Sequence, residues 1–272
     1  MKPLLSDVTI CAADCITSEL AILAIKKSME QCQFAEAILF SDCEPTSLEG
    51  IRFIAIDKMK SRDDYSRFIL KELHLFIKTR FVLIVQWDGY VVDGSKWEES
   101  FTSYDYIGAK WNWHSDGKTV GNGGFSLRSK RLLDIASNDD FPFVENMPED
   151  DQICRTYRDR LEAHGIKFAS EEVADRFSHE RGIKQYDSFG FHGIFNFWRY
   201  LTENEVKVVV PKLHLSTFKS KELKDLLIEA LINRRFSSFR IIFKRVLRDS
   251  PIFFIVKFFF HLTKRTLGFK KS

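Results

Sequence analysis

The chain has 272 residues, 44% apolar and 29% charged, so it can bury a sizeable core and is not intrinsically disordered. The net charge of +3 is unevenly spread. Residues 219–272 hold 14 Lys/Arg against 4 Asp/Glu, whereas residues 1–218 hold 27 basic and 34 acidic side chains. We therefore predict an acidic domain over residues 1–218 and a basic helical tail over residues 219–272.

The N-terminal part of the chain alternates between strand-like and helix-like segments. Helical spacing of apolar residues predicts helices at 18–32, with Ser18 as the expected N-cap, and at 64–78. Short apolar runs predict strands at 8–13, 37–40, 52–56 and 81–85. This β-α-β-β-α-β order predicts an α/β fold whose sheet is mostly parallel and buried, with helices on both faces.

Polar residues follow three of these strands. Asp14 follows the first, Asp42 the second, and Gln86 and Asp88 the strand at 81–85. Ligands of open α/β sheets bind beyond the carboxyl ends of the strands, so we expect these side chains to share one edge. The sequence has no GxGxxG and no GxxxxGK[ST], which removes the main support for dinucleotide-binding and P-loop proteins.

The second half adds aromatic, glycine-rich and acidic segments. Residues 111–120 form a loop rich in aromatic and polar side chains, and three glycines fall within 121–124. Further predicted elements are strands at 104–109 and 166–169 and helices at 129–137 and 148–164.

Several motifs in this order resemble an uncharacterised family of glycosyltransferases with the GT-A fold. They are QWDG, YDYIGAKW, VGNGGFSLRS, PEDDQIC and SFGFHG, and the resemblance covers residues 7–195. It implies a GT-A-like sheet that binds a nucleotide-diphosphate sugar with Mn²⁺ or Mg²⁺. GT-A enzymes commonly use an Asp-x-Asp motif for the cation, and here Gln86 takes the place of the first carboxylate.

The resemblance implies that Asp88 and His192 hold the cation. A divalent cation stabilises the negative charge that grows on the leaving diphosphate, and Mg²⁺ or Mn²⁺ prefers oxygen ligands. Gln86 offers only a neutral carbonyl oxygen for the cation or the sugar. The alternatives are that Asp88 and Gly89 simply form a turn at the strand end, and that His192 is a core residue.

The acidic segment is the candidate for the catalytic base. An inverting transferase needs a carboxylate that removes the proton of the attacking hydroxyl. We predict Asp150 as this base and Asp151 as its orienting neighbour, with Glu149 toward the acceptor. Acidic residues are also favourable at a helix N-terminus, so helix capping alone is the alternative.

The remaining site predictions concern binding. Glycines in 121–124 permit positive φ and close backbone approach to a ligand, although a plain tight turn would also use them. Trp111 and Trp113 offer ring faces to an acceptor sugar, unless they are core or lid residues. The predicted donor contacts are Asp14, Asp42, Arg67, Gln86, Asp88, Asn122 and Gly123.

The basic tail is predicted to attach the protein to a membrane surface. Apolar residues share a helical face in 220–234, and PIFFIVKFFFHLTKR interleaves aromatic and basic residues. That composition fits a helix in the interface of an anionic membrane, so we expect a peripheral protein on the cytoplasmic inner face. A helical cap or oligomer contact is the alternative. We predict no nucleic-acid partner, because the main body is acidic.

The sequence thus favours a cytoplasmic glycosyltransferase that acts on a glycan or lipid-linked acceptor hydroxyl. A sugar nucleotidyltransferase would normally carry a Gly-rich, Lys/Arg-bearing loop after the first strand, where Ala12, Ala13, Asp14 and Cys15 stand instead. A non-catalytic nucleotide- or glycan-binding protein is the other alternative, and the missing carboxylate at Gln86 keeps it open.

Overall fold

A computed structural model describes residues 2–184 and 186–266 of the protein. The chain divides into two compact units, Met1–His192 and a second that begins at Gly193. The predicted boundary at 218 therefore falls inside the second unit. The last residues of the predicted tail, 267–272, lie outside the described part of the chain.

A six-stranded mixed sheet forms the centre of the first unit, in the order β3-β2-β1-β4-β7-β6. The strands β3, β2, β1 and β4 run parallel, whereas β7 is antiparallel to both β4 and β6. Their bounds are β1 Leu4–Ala13, β2 Gln33–Ser41, β3 Arg52–Ala55, β4 Phe81–Val85, β6 Tyr106–Ile107 and β7 Phe125–Ser129. The predicted α/β class is confirmed, and the sheet is parallel only in its first four strands.

Helices cover the sheet and continue the alternation in sequence. Helix α1 begins at Ser18, one residue earlier than predicted, since Thr17 rather than Ser18 is the N-cap. The predicted helix at 64–78 is instead α2, Arg62–Arg67, followed by a π turn, Phe68–Glu72, and a 3₁₀ turn, Leu73–Leu75. Further helices are α1 Ser18–Gln31, α3 Lys130–Ala136, α4 Glu149–Asp151, α5 Arg158–Ala163 and α6 Glu171–Phe177.

The apolar core of the first unit explains why these segments pack where they do. All five residues of β4 are buried, which is what a central strand covered on both faces requires. Phe40 of β2 packs against Phe68 and Phe76, with ring centroids 5.1 and 5.3 Å apart. The predicted strand at 166–169 shrinks to a single bridge between Phe168 and Tyr106.

A small second sheet lies in the same unit, in the order β5-β9-β8. It consists of β5 Tyr90–Val91, β8 Ser178–His179 and β9 Gly190–Phe191. Strand β9 is antiparallel to β5 and parallel to β8. Each strand has two residues, so their positions follow from tertiary contacts rather than from any periodic pattern.

The second unit is helical as far as it is described. Its helices are α7 Phe197–Tyr200, α8 Glu203–Val209, α9 Lys221–Ile232, α10 Phe236–Asp249 and α11 Ile252–Thr266. In α9, Leu223, Leu226 and Leu227 are buried, so the predicted amphipathic face is the packed one. Within the described ranges, no helix is both long and apolar enough to cross a bilayer.

Candidate active site

A cavity of about 330 Å³ opens in the first unit beyond the end of β4. It gathers nine of the residues predicted from the sequence: Gln86, Trp111, Trp113, Asn122, Gly123, Glu149, Asp150, Asp151 and His192. The rest of its lining consists of Arg62, Tyr65, Ser66, Gly124, Pro148 and Glu180.

Strand pairing explains why residues so distant in sequence meet here. The antiparallel register of β4 and β7 sets Val85 opposite Phe125, and the Gln86 amide donates to the Gly124 carbonyl at 2.8 Å. The glycine-rich loop therefore lies beside the end of β4. In the small sheet, Tyr90 pairs with Phe191, which brings the chain just after β9 alongside the turn just before β5.

The turn after β4 places Asp88 against His192. The Gly89 amide donates to the Gln86 carbonyl at 3.0 Å, so the turn given above as the alternative is present. The Nε2 atom of His192 lies 3.5 Å from Asp88 Oδ1 and 3.3 Å from Gln86 Oε1. Its Nδ1 atom lies 3.4 Å from Glu180 Oε1. Burial lowers the pKa of His192, because it disfavours the charged ring. The carboxylates of Asp88 and then Glu180 raise the pKa by more, so that it reaches about 10.

This arrangement does not fit the cation that the GT-A resemblance implies. A metal ligand must be a neutral imidazole with an available lone pair. In His192, Nε2 faces oxygens of Asp88 and Gln86, and Nδ1 already contacts Glu180 and the side-chain nitrogen of Asn122. Among the residues that the structure describes, no group of three or more His, Cys, Asp or Glu side chains is arranged to hold a metal ion. Metal binding by Asp88 and His192 stays a prediction.

The acidic motif lines the same cavity and lies in α4. Asp150 Oδ2 accepts from the Gly123 amide at 2.9 Å, and Oδ1 accepts from the Asp151 amide at 3.0 Å. Burial raises the pKa of Asp150, the Gly123 hydrogen bond lowers it, and the neighbouring Asp151 raises it further, with a net upward shift. A carboxylate with a raised pKa is a better proton acceptor near neutral pH, which is what a general base requires.

Glu149 of the acidic motif takes part in a buried ion pair. Arg128 of β7 has no exposed surface, and its Nη2 donates to Glu149 Oε1 at 2.9 Å. Its Nε donates to Ser126 Oγ at 3.0 Å. Burial raises the pKa of Glu149 to about 7, since Arg128 compensates only part of the cost. The second oxygen, Oε2, is buried with no hydrogen-bond partner within the described residues.

The glycines of residues 121–124 are required because other side chains lie close to their backbone, and not because their φ angles are positive. A Cβ atom on Gly123 would come within 1.9 Å of Glu149 Oε1, and one on Gly124 within 2.1 Å of His192 Nε2. Asn122 is the loop residue with positive φ, at 67°. Its side-chain nitrogen lies 3.0 Å from His192 Nδ1. The loop therefore joins the acidic wall to the His192 cluster.

Trp111 and Trp113 differ in their exposure to solvent. Trp111 is 4% exposed, and a Cβ atom on Gly121 would come within 2.2 Å of its ring, so it packs beneath the loop. Trp113 is 57% exposed, with its ring centroid 6.1 Å from that of Trp111. Of the two, Trp113 can offer a ring face to a bound molecule.

Four predicted donor contacts lie outside the lining of this cavity: Asp88, described above with His192, and the three residues that follow. Asp14 Oδ1 accepts from the amides of Ile16 and Thr17, at 2.7 and 2.5 Å, and so shapes the loop into α1. Asp42 Oδ2 lies 3.5 Å from Lys58 Nζ. The Arg67 guanidinium lies 4.2 Å from the Phe143 ring. Each has a local structural partner, and their donor-binding roles stay predictions.

Sequence reasoning missed several residues of the site. Tyr65 was part of the apolar pattern of the predicted helix at 64–78 and was given only a packing role, and Arg62 lies just before that predicted helix. Glu180 follows β8, and no periodic pattern marks that two-residue strand. Arg128 stands in the quoted VGNGGFSLRS motif, and its signal was a charged residue within an apolar strand.

The solved structures that are similar to this chain include three glycosyltransferases of low identity. One is a glycosyltransferase involved in the glycosylation of the major capsid of PBCV-1, 14% identical, with a TM-score of 0.44 and coverage of 68% of this chain and 91% of that one.

The second is the mannosyltransferase PcManGT from Pyrobaculum calidifontis in complex with GDP-Man and Mn²⁺, 10% identical, with a TM-score of 0.46. The third is the apo-form glycosyltransferase GlyE from Streptococcus pneumoniae TIGR4, 13% identical, with a TM-score of 0.40. The alignments cover 78% and 74% of this chain but 63% and 55% of those two chains. A search of curated proteins found no match.

A family model covers residues 50–192, from just before β3 to His192. This span is more than half of the chain and includes every residue that lines the cavity. The chain therefore belongs to the family described as protein of unknown function DUF5672.

Proposed function

We propose that this protein is a glycosyltransferase. It moves a sugar from a nucleotide-diphosphate donor to a hydroxyl of a glycan or lipid-linked acceptor, with inversion. The observation that carries the proposal is the position of Asp150, a carboxylate of raised pKa on the wall of a cavity that also presents Trp113. The motif order QWDG, VGNGG, PEDD and FGFHG supports the same assignment.

The proposed step uses Asp150 as the general base. Its carboxylate takes the proton of the acceptor hydroxyl, and the oxygen lone pair forms the new bond to the anomeric carbon. The bond from that carbon to the diphosphate oxygen breaks, and its electron pair leaves with the nucleoside diphosphate. Asp150 is held by the Gly123 and Asp151 amides, so its orientation is fixed before the acceptor binds.

The leaving diphosphate needs positive charge. Arg62, at the N-terminal end of α2, is the exposed guanidinium on the cavity wall and is assigned this contact. Trp113 is assigned the apolar face of a sugar ring. No step is assigned to a divalent cation, because the ring nitrogens of His192 face Asp88, Gln86 and Glu180.

The test is sugar transfer or donor hydrolysis with a panel of nucleotide sugars, comparing wild type with Asp150→Asn. We expect Asp150→Asn to lower turnover by roughly 10²- to 10⁴-fold, the usual contribution of a positioned general base, while donor affinity stays within a few fold. Asp140→Asn, an exposed acid outside the cavity lining, is the matched control. Equal turnover of Asp150→Asn and wild type would remove the assignment of the base.

A non-catalytic nucleotide- or glycan-binding protein is the second candidate. It is favoured by Gln86 in place of the expected carboxylate and by the pairing of His192 with Asp88. Calorimetry with nucleoside diphosphates separates the two proposals. Binding without turnover of any donor in the panel would support the binding protein, and turnover would exclude it.

A further inference from the structure

Helix α11 has two apolar faces on opposite sides. Phe254 and Phe258, four residues apart, are buried. Successive residues of a helix are rotated by about 100°, so a second set of side chains points away from that buried face. This outer set is 50% to 75% exposed and consists of Ile252, Phe253, Val256, Phe259 and Phe260.

The buried face fixes the orientation of α11 within the second unit. The Phe258 ring lies 5.7 Å from Phe243 and 6.2 Å from Phe239, both on α10. Near the other end of α11, Arg265 forms an ion pair with Glu229 of α9. Because these contacts hold one side of the helix, the outer face stays directed to its surroundings rather than into the core of the unit.

Basic side chains border the outer apolar face. Lys257 and Lys264 project from the same flank of the helix, seven residues apart, which is about two turns. Lys257 Nζ lies 5.4 Å from the centre of the Phe253 ring, and Lys264 Nζ lies 4.6 Å from that of Phe260. An exposed apolar stripe with ammonium groups along its edge is the pattern of helices that lie in a lipid headgroup layer.

We propose that the outer face of α11 inserts into the interface of an anionic lipid bilayer. The apolar side chains enter the boundary between headgroups and acyl chains, and Lys257 and Lys264 contact the anionic headgroups. Charge complementarity favours this occupant over a second copy of the chain, because residues 219–272 carry 14 Lys/Arg against 4 Asp/Glu and two such faces would repel each other. The inference is independent of the proposed enzymatic activity.

The experiment is co-sedimentation of the full-length protein with vesicles of phosphatidylcholine, with or without phosphatidylserine. We expect binding to the vesicles that contain phosphatidylserine, and weaker binding when salt is added, since salt screens the lysines. Phe253→Gln combined with Phe260→Gln should lower affinity by roughly fivefold per residue, since each ring loses about half of its full transfer energy. Lys257→Gln combined with Lys264→Gln should also lower it by roughly fivefold per charge.

The matched control combines Leu4→Gln with Leu75→Gln. Both leucines are more than 60% exposed but lie in the first unit, far from α11 in sequence. Near-ultraviolet circular dichroism checks that each variant is folded. Equal vesicle binding by wild type and both α11 variants would overturn the proposal. So would a wild-type dimer that becomes monomeric in the phenylalanine variant while vesicle binding is absent, because the occupant would then be a second copy.

Discussion

The buried pair of Arg128 and Glu149 gives a quantitative prediction for the wall that carries the proposed base. Arg128→Met removes the cation but keeps an apolar side chain of similar length beneath the cavity. Both groups are at most 4% exposed, so water cannot replace the lost partner. We expect a cost of roughly 3–5 kcal/mol in the free energy of unfolding, which is typical of breaking a buried pair from one side.

The pH dependence of this cost follows from the pKa of Glu149. That pKa is raised from 4.5 to about 7, so the associated stability is present below 4.5 and is lost as pH rises through 7. Without Arg128 the carboxyl group has a still higher pKa and keeps its proton to higher pH. The wild type then stops losing stability near pH 7, whereas Arg128→Met continues to lose it. The difference between them should widen by about 1.4 kcal/mol per pH unit above 7.

Chemical denaturation followed by tryptophan fluorescence measures this difference. Four of the five tryptophans lie in the first unit, so the signal reports mainly on the unit that contains the pair. Measurements at pH 5 and pH 8 compare wild type, Arg128→Met and the double variant with Glu149→Gln. The double variant should lose the extra pH dependence, because its amide does not titrate.

Arg52→Met is the control for a solvent-exposed ion pair. Its guanidinium Nε lies 2.5 Å from Glu36 Oε1, but the two side chains are 45% and 31% exposed. We expect this variant to cost at most about 1 kcal/mol at either pH. If the difference between Arg128→Met and wild type were the same at pH 5 and pH 8, Arg128 would not lower the pKa of Glu149, and the reasoning from this ion pair would be wrong.

Three further predictions concern the cavity. Gly123→Ala should cost about 1–3 kcal/mol, measured by thermal unfolding, because its Cβ atom would meet the held Glu149 carboxylate at 1.9 Å; an unchanged midpoint would show that the carboxylate can move. Trp113→Ala should leave stability within ~0.5 kcal/mol but raise KM for one substrate by roughly tenfold; an unchanged KM would exclude sugar stacking. Adding Mn²⁺ or a chelator should leave the unfolding midpoint unchanged, since His192 is already paired with Asp88; a rise with Mn²⁺ that Asp88→Asn abolishes would restore the metal site.

The sequence predicted the central strands because their burial leaves a simple pattern. Five apolar residues give β4 with the same bounds that the structure shows, 81–85. The helix at 64–78 was predicted as continuous because its apolar residues do face the core. A π turn, Phe68–Glu72, still allows Phe68 and Ile69 to be buried, so the apolar pattern alone does not reveal it.

The position of the antiparallel strand β7 and the buried contacts next to the site depend on residues that are distant from each other in sequence. Arg128 is buried in β7 only because Glu149, 21 residues later, returns to pair with it. General rules place an arginine at the surface unless a partner is known. Likewise, Glu180 reaches His192 through the pairing of β8 with β9, which no local pattern of two-residue strands can indicate.

The electrostatics of the cavity favour a neutral acceptor. Asp150 has a raised pKa partly because Asp151 is adjacent, so negative charge is already in excess along this wall. An acceptor that carried a phosphate or carboxylate at the reacting hydroxyl would meet the same repulsion. A neutral sugar hydroxyl instead gains a hydrogen bond to Asp150. In the proposed reaction the donor diphosphate would instead contact Arg62, the arginine in the lining of this cavity.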